Sequence, residues 1–439
     1  MNGPGAGASG RVDGPVLGRR GTAWNPETRL YADGVVTGAD GAPLVVPPHG
    51  ALRRLPDTPF LDPASGTLPG AARPGPAEVA RAAAETAAAT LPGAGTRYAA
   101  MARTAFVDIR ALLYPNGALV AAASPYWHYV WPRDAGFCAV ALCLGGRHGD
   151  ALRALRYVCG LQEPDGTWQA RYLPDGSGRV PDRRGTQLDG IGWTLWALWV
   201  WAATAPARTV AAELADMLAT VRAAADAMSA AVDPGTGLPR PSQDYWERDV
   251  DEATLGTAAP LLLGARAAAD LLGRAGDGAA AARCARVRDL LRDGIRRHFA
   301  PLDFPRRVGG GGRDASVAFL LPPFSPMEPG PHAAWRRTLA ALRLANGGVG
   351  GGEEWADTRT AWTPQVSLFA MTAAATGERH LAEGLLTWLE ERRTRLGALP
   401  EKVTEDGRPA AVAPLALTGA SVLIALASLE GRPPPTPPG

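Results

Sequence analysis

Six times along this chain, a long loop crowded with Trp, Arg and carboxylates runs into an Ala/Leu-rich stretch almost devoid of charge. A charged, amphipathic stretch then leads to the next loop. A helix that is apolar all round must be surrounded by protein, whereas an amphipathic one covers something. The uncharged stretches near 135–144, 188–203, 253–272, 314–321, 363–375 and 414–429 therefore predict an inner ring of helices. The charged stretches near 97–113, 149–161, 208–232, 279–299, 333–344 and 378–394 predict an outer ring, with one further Ala-rich helix near 77–91. The repeat, roughly 40 to 70 residues long, has helix-pair size. Loops from outer to inner helix run to roughly 15–25 residues, while most returning loops take about 2–6, against a helix-bundle norm of roughly 2–8. One rim of an all-α barrel should thus carry nearly all the irregular chain. That rim also presents the N-termini of the inner helices, whose partial positive charge and free N–H groups suit an oxygen-rich ligand.

The repeat covers nearly everything after Pro74, so the expected organisation is one large domain at 76–431. A Gly-rich N-terminus at 1–22 and a Pro-rich tail at 432–439 read as disordered. Between them, 23–75 reads as an appendage with short β-hairpins, one turning at 38–41 (GADG). No stretch reaches the roughly 18 uninterrupted apolar residues of a membrane span, and no basic start with an apolar core marks a signal peptide. The chain therefore reads as soluble and cytoplasmic, or as secreted if a leader preceded it. Lys+Arg 45 against Asp+Glu 43 leaves +2, with no basic block, which argues against a nucleic-acid partner. Lys402 is the only lysine, so chemistries needing a lysine elsewhere are excluded. The four cysteines lie in apolar runs without a CxxC pair, and no HExxH accompanies them; they read as buried thiols, and neither metal nor organic cofactor is implied. Oligomeric state is not legible.

Candidate chemistry concentrates in the loaded segments at 126–134 (YWHYVWPRD), 185–190 (GTQLDG), 244–251 (DYWERDVD), 312–316 (GRDAS), 353–362 (EEWADTRTAW) and 399–403 (LPEKV). Six tryptophans fall in long loops: Trp127, Trp131, Trp168, Trp246, Trp355 and Trp362. A flat apolar ring with an N–H handle packs against the C–H face of a sugar, although any single loop Trp can equally plug onto its own helix. Trp131, Arg133 and Asp134 join an aromatic surface to an Arg and a carboxylate at an inner helix start, where Asp134 either caps the helix or holds ligand hydroxyls. Gln187 and Asp189 repeat that choice before the next inner helix. Glu247, between Trp246 and Arg248, is placed for partial desolvation against an indole, the environment that keeps a proton on a carboxyl and suits a general acid. Glu401, in the sixth loop, suits an ionised base that activates water. Spaced by half the barrel, the two could face each other across a central pocket, as inverting glycoside hydrolysis requires. A solvated rim charge or an arginine salt bridge is the plainer alternative for each.

Taken in order, YWHYVWPRDAGF, the QLDG before LWAL, DYWERD and LPEKV resemble the glucoamylase-type glycoside hydrolases, family fifteen. The resemblance runs from about Tyr126 to the last helix. It implies an (α/α)6 barrel and inverting exo-hydrolysis of α-glucosidic bonds in an oligosaccharide or glucoside. On that alignment Glu247 is the acid, Glu401 the base, and Arg133 with Asp134 binds substrate. The chain departs from the pattern at Arg248, where many members carry a second acidic residue. It departs again at Leu417-Thr418, where a Trp-Ser pair is usual, and around 347–355, so the resemblance does not specify starch. A trehalase-like substrate, a catalytically silent sugar-binding barrel and a terpenoid-cyclase-like toroid remain alternatives. The last rests on one QxxxGxW match at 162–168 and an Asp-rich run at 249–252.

Overall fold

The computed structural model describes residues 29–439; the expectation for 1–22 and the start of the appendage lies outside them. Twelve α-helices are described, connected mostly by long loops on one side and short turns on the other. After α1 (Pro76–Ala87), the charged helices are α2 (Ala99–Ala111), α4 (His148–Gly160), α6 (Ala207–Ala231), α8 (Gly278–His298), α9 (Pro329–Leu342) and α11 (Arg379–Glu390). The uncharged ones are α3 (Pro132–Leu144), α5 (Asp189–Thr204), α7 (Leu255–Arg274), α10 (Thr363–Ala375) and α12 (Ala416–Leu429). Packing follows the ring α3, α5, α7, the 3-10 turn Ala315–Leu320, α10, α12 and back to α3. The inner ring is closed, and the fold is an (α/α)6 barrel. The charge contrast that predicted two rings is the physical cause of the arrangement: nearly every residue of α5 and α12 is buried, while α8 buries one stripe.

The fourth inner element differs from expectation, being a single 3-10 segment rather than an α-helix. Asp314 caps its start, accepting from Ser316 N, and Pro322 and Pro323 follow at once. Proline cannot donate and disfavours helical backbone in the residue before it, so too little chain remains for α turns. Helix α7 is long and apolar enough to cross a membrane by length and composition, but 89% of its apolar window is buried inside the barrel, as the inner-ring reading of 253–272 requires. Its close approach to α5 depends on Gly192 and Gly264. A Cβ on Gly192 would lie 2.0 Å from the Pro260 carbonyl oxygen, and one on Gly264 2.7 Å from Gly192 Cα.

Large aromatics fill the barrel axis. Phe137 lies 5.0 Å from Trp193, Trp193 4.8 Å from Phe319 and Trp196 5.3 Å from Phe324, centroid to centroid, mostly tilted or edge-on. They close the barrel below its busy rim. The appendage carries a hairpin of β1 (Gly34–Thr37) and β2 (Pro43–Val46), paired Gly34 with Val46 and Thr37 with Pro43. It is fastened to the barrel by the buried Arg54–Asp108 ion pair, 2.5 Å, and by Tyr31 N–H donating to the Ala411 carbonyl, 2.9 Å. Burial pushes the Asp108 carboxyl up, and Arg54 opposes that.

Candidate active site

The local turn at Glu247 begins with a buried network. Asp244, fully inaccessible, accepts from Arg306 Nη2 at 2.9 Å and from Trp246 N at 3.0 Å. Arg306 also lies over the Trp246 ring at 4.1 Å. Tyr245 donates to Asp314 Oδ2 at 2.6 Å, and burial with these two aspartates holds its phenol well above the usual range. With both neighbours fixed, Glu247 takes a left-handed backbone, φ 53°, its N–H donating to the Asp244 carbonyl at 2.8 Å. A non-glycine residue held there costs of order 1–3 kcal/mol, a strain that concentrates at functional positions. The Glu247 carboxyl accepts from the Trp131 indole N–H at 2.6 Å, contacts Arg184 and lies 4.0 Å from Arg133. The indole that meets this carboxyl is that of Trp131, through its N–H.

Glu401 is placed by a small sheet that the sequence did not announce. Strands β3 (Ala361–Trp362), β4 (Lys402–Val403) and β5 (Pro409–Ala410) pair antiparallel, Trp362 opposite Lys402 and Lys402 opposite Ala410. They tie the fifth loop to the sixth. Glu401 N–H donates to the Val412 carbonyl at 2.8 Å, and its own carbonyl accepts from Thr363 N at 2.9 Å. Lys402 Nζ lies 4.1 Å above the Trp362 ring.

Glu247 and Glu401 line one cavity of about 530 Å³ at the loop-bearing rim. Of the other expected residues, Trp131, Arg133, Asp134, Trp246 and Trp355 line it too, as do Trp127 and Trp362. Trp246, Trp355 and Trp362 form a continuous edge-to-face wall, with centroids 4.9 and 5.2 Å apart. Arg133, Tyr245 and Gln365 also border a second hollow of about 40 Å³, lined by Phe137, Phe319 and Leu368.

Gln187 and Asp189 are not among the lining residues. They stand behind Arg133: its Nη1 lies 3.5 Å from Gln187 Oε1 and 3.5 Å from Asp189 Oδ2, while Nη2 lies 3.5 Å from Asp134. A guanidinium in the first turn of α3 faces the positive helix end and needs such anions. Burial pushes Asp189 up to about 6, against the pull of Arg133 and with a further push from Asp244; burial also raises Asp134, again against Arg133. Trp168 is fully buried and donates to the Val158 carbonyl at 2.8 Å, so here the plug reading holds. Its QxxxGxW turn is closed by Gln162 donating to the Gly166 carbonyl at 3.0 Å, a structural role. Sequence reasoning missed Arg171 and Arg184, which line the cavity and share Asp182. The signal was an arginine-rich loop, PDRRG, ending where the second loaded segment began.

The model of glycosyl hydrolases family 15 matches residues 99–353, more than half of the chain. The chain belongs to glycosyl hydrolases family 15. An uncharacterized glycosyl hydrolase of Methanocaldococcus jannaschii is 32% identical over 98 residues, which span 22% of this chain and 15% of that protein. Among solved structures, a wild-type glycosidase superposes with a TM-score of 0.63 at 23% identity, covering 76% of this chain and 97% of its own. A bacterial glucoamylase complexed with acarbose gives 0.65 at 16% identity, covering 82% and 59%. These structures share the family's barrel, and family membership removes the terpenoid-cyclase reading.

Proposed function

We propose that this family 15 member is an inverting, exo-acting glycosidase that releases glucose from α-glucosidic bonds, with Glu247 as general acid and Glu401 as general base. The observation that carries the reading is that two glutamates from loops 154 positions apart (401 minus 247) line the same rim cavity. Beside the cavity, the axial aromatics leave a hollow of only about 40 Å³, which suits the terminal sugar of a chain rather than its middle. Tryptophan walls suit a pyranose face, and Arg133 with Asp134 suits its hydroxyls.

In the reaction, Glu247 gives its proton to the glycosidic oxygen as the bond to the anomeric carbon breaks, and the leaving sugar or alcohol departs neutral. Glu401 takes a proton from a water that adds to the same carbon from the opposite face, giving the β-anomer of glucose. Glu247→Gln and Glu401→Gln should each lower kcat about 10²- to 10⁴-fold while circular dichroism and unfolding midpoint stay near wild type. Turnover within threefold of wild type in either variant removes that residue from the mechanism.

A further inference from the structure

The wall that carries Glu247 holds more positive charge than a neutral leaving group uses. Arg171, Arg184 and Arg248 all line the cavity there. Arg171 and Arg184 share the single carboxylate Asp182, with Arg184 Nε at 3.1 Å, and the other anion on Arg184 is Glu247 itself. Arg248 is exposed and lies flat on Trp355, 4.7 Å from the ring centroid; among the described residues no carboxylate lies within ion-pair distance of it. Burial and the neighbouring Arg171 press Arg184 below the usual guanidinium range, as crowded cations do. An acid catalyst must carry a proton before it can give one, and a guanidinium against a carboxyl favours the charged form instead. Once Glu247 is protonated, Arg171 and Arg184 have only Asp182 between them, and Arg248 has no carboxylate within ion-pair distance among the described residues.

We propose that the substrate carries an anionic group, phosphate or carboxylate, on the leaving side of the scissile bond, and that Arg184 and Arg248 receive it. This rests on Glu247 being the acid, because the acid meets the leaving oxygen and its neighbours therefore meet the leaving group. Planar guanidiniums bind both anions bidentately. The anion also draws Arg184 off Glu247 and sets negative charge beside it, so docking of the correct substrate loads the proton that the reaction uses. Arg184 and Arg248 act here as specificity-determining residues.

The test uses matched α-glucosides that differ in the charge of the leaving group: trehalose 6-phosphate against trehalose, and glucosylglycerate against glucosylglycerol. With the full chain, kcat/KM for the charged member of at least one pair should exceed that for the neutral member by about tenfold or more. The pair showing the preference identifies the anion. Arg248→Gln and Arg184→Gln should each reduce that charged-to-neutral ratio at least about fivefold, and the ratio should fall with added salt. Titration calorimetry of the same pairs with Glu401→Gln reads the preference in binding without turnover, separating loss of this inference from loss of the hydrolytic mechanism. Equal or better use of the neutral members, a ratio unmoved in both arginine variants, or no preferential binding of either charged member overturns it.

Discussion

Replacing Arg133 by Met should destabilise the fold strongly at neutral pH and much less in acid. Its guanidinium stands 3.5 Å from Asp134, 3.5 Å from Asp189 and 3.5 Å from Gln187, and the two aspartates are only 4% and 1% exposed. Methionine keeps most of the volume and removes the one cation between them. Taking one partner from a buried pair typically costs about 3–5 kcal/mol, because the other charge stays buried without compensation. The two losses share one partner, so they should not add fully. Asp189 already sits near 6 with Arg133 in place, since burial outweighs the arginine. Without the arginine it moves higher, each unit being worth about 1.4 kcal/mol. A carboxyl whose folded value is raised binds its proton in the folded chain before the unfolded one, so its contribution favours folding as pH drops. That contribution grows in the variant. The cost of Arg133→Met should therefore be about 3–5 kcal/mol at pH 7.5 and shrink by at least about 1.5 kcal/mol at pH 5. Urea unfolding followed by tryptophan fluorescence at pH 5, 6 and 7.5 measures both values. A cost below about 1 kcal/mol at pH 7.5, or one that is flat between pH 5 and 7.5, refutes the placement of Arg133 as the cation holding these two carboxylates.

Arg54→Leu should cost about 3–5 kcal/mol in the same assay by leaving Asp108 buried without its cation, while the double variant with Asp108→Leu should recover most of the loss. Gly192→Ala should lower stability by about 3 kcal/mol or more, because the new methyl meets backbone on α7 rather than a side chain that can turn away; a midpoint equal to wild type would mean the two helices are not in contact there.

The rings were legible because burial acts on whole helices: a segment such as 188–203, whose single charge is Asp189 at its start, has only one place to go. The fourth inner element was legible as apolar but not as 3-10, since its backbone is decided by the prolines beyond it. The two-residue strands β3, β4 and β5 leave no periodicity to read, and they exist because the fifth and sixth loops meet in space. Within the site, the loaded loops located Trp131, Arg133, Glu247 and Glu401, all of which reach the cavity. Direction within a loop was not legible. Asp189 and Gln187 stand at an inner helix start just as Arg133 and Asp134 do, yet they back the arginine instead of lining the cavity. Trp168 likewise differs from Trp131 only in which way the loop turns it.

Inversion at the anomeric carbon is the most exposed consequence of assigning one glutamate as acid and the opposing one as base with water between them. Proton NMR of the first product formed from an α-glucoside, recorded before mutarotation, reads it directly. β-Glucose should appear first and decay toward the equilibrium mixture; α-glucose appearing first would contradict the pairing of Glu247 with Glu401 through a nucleophilic water.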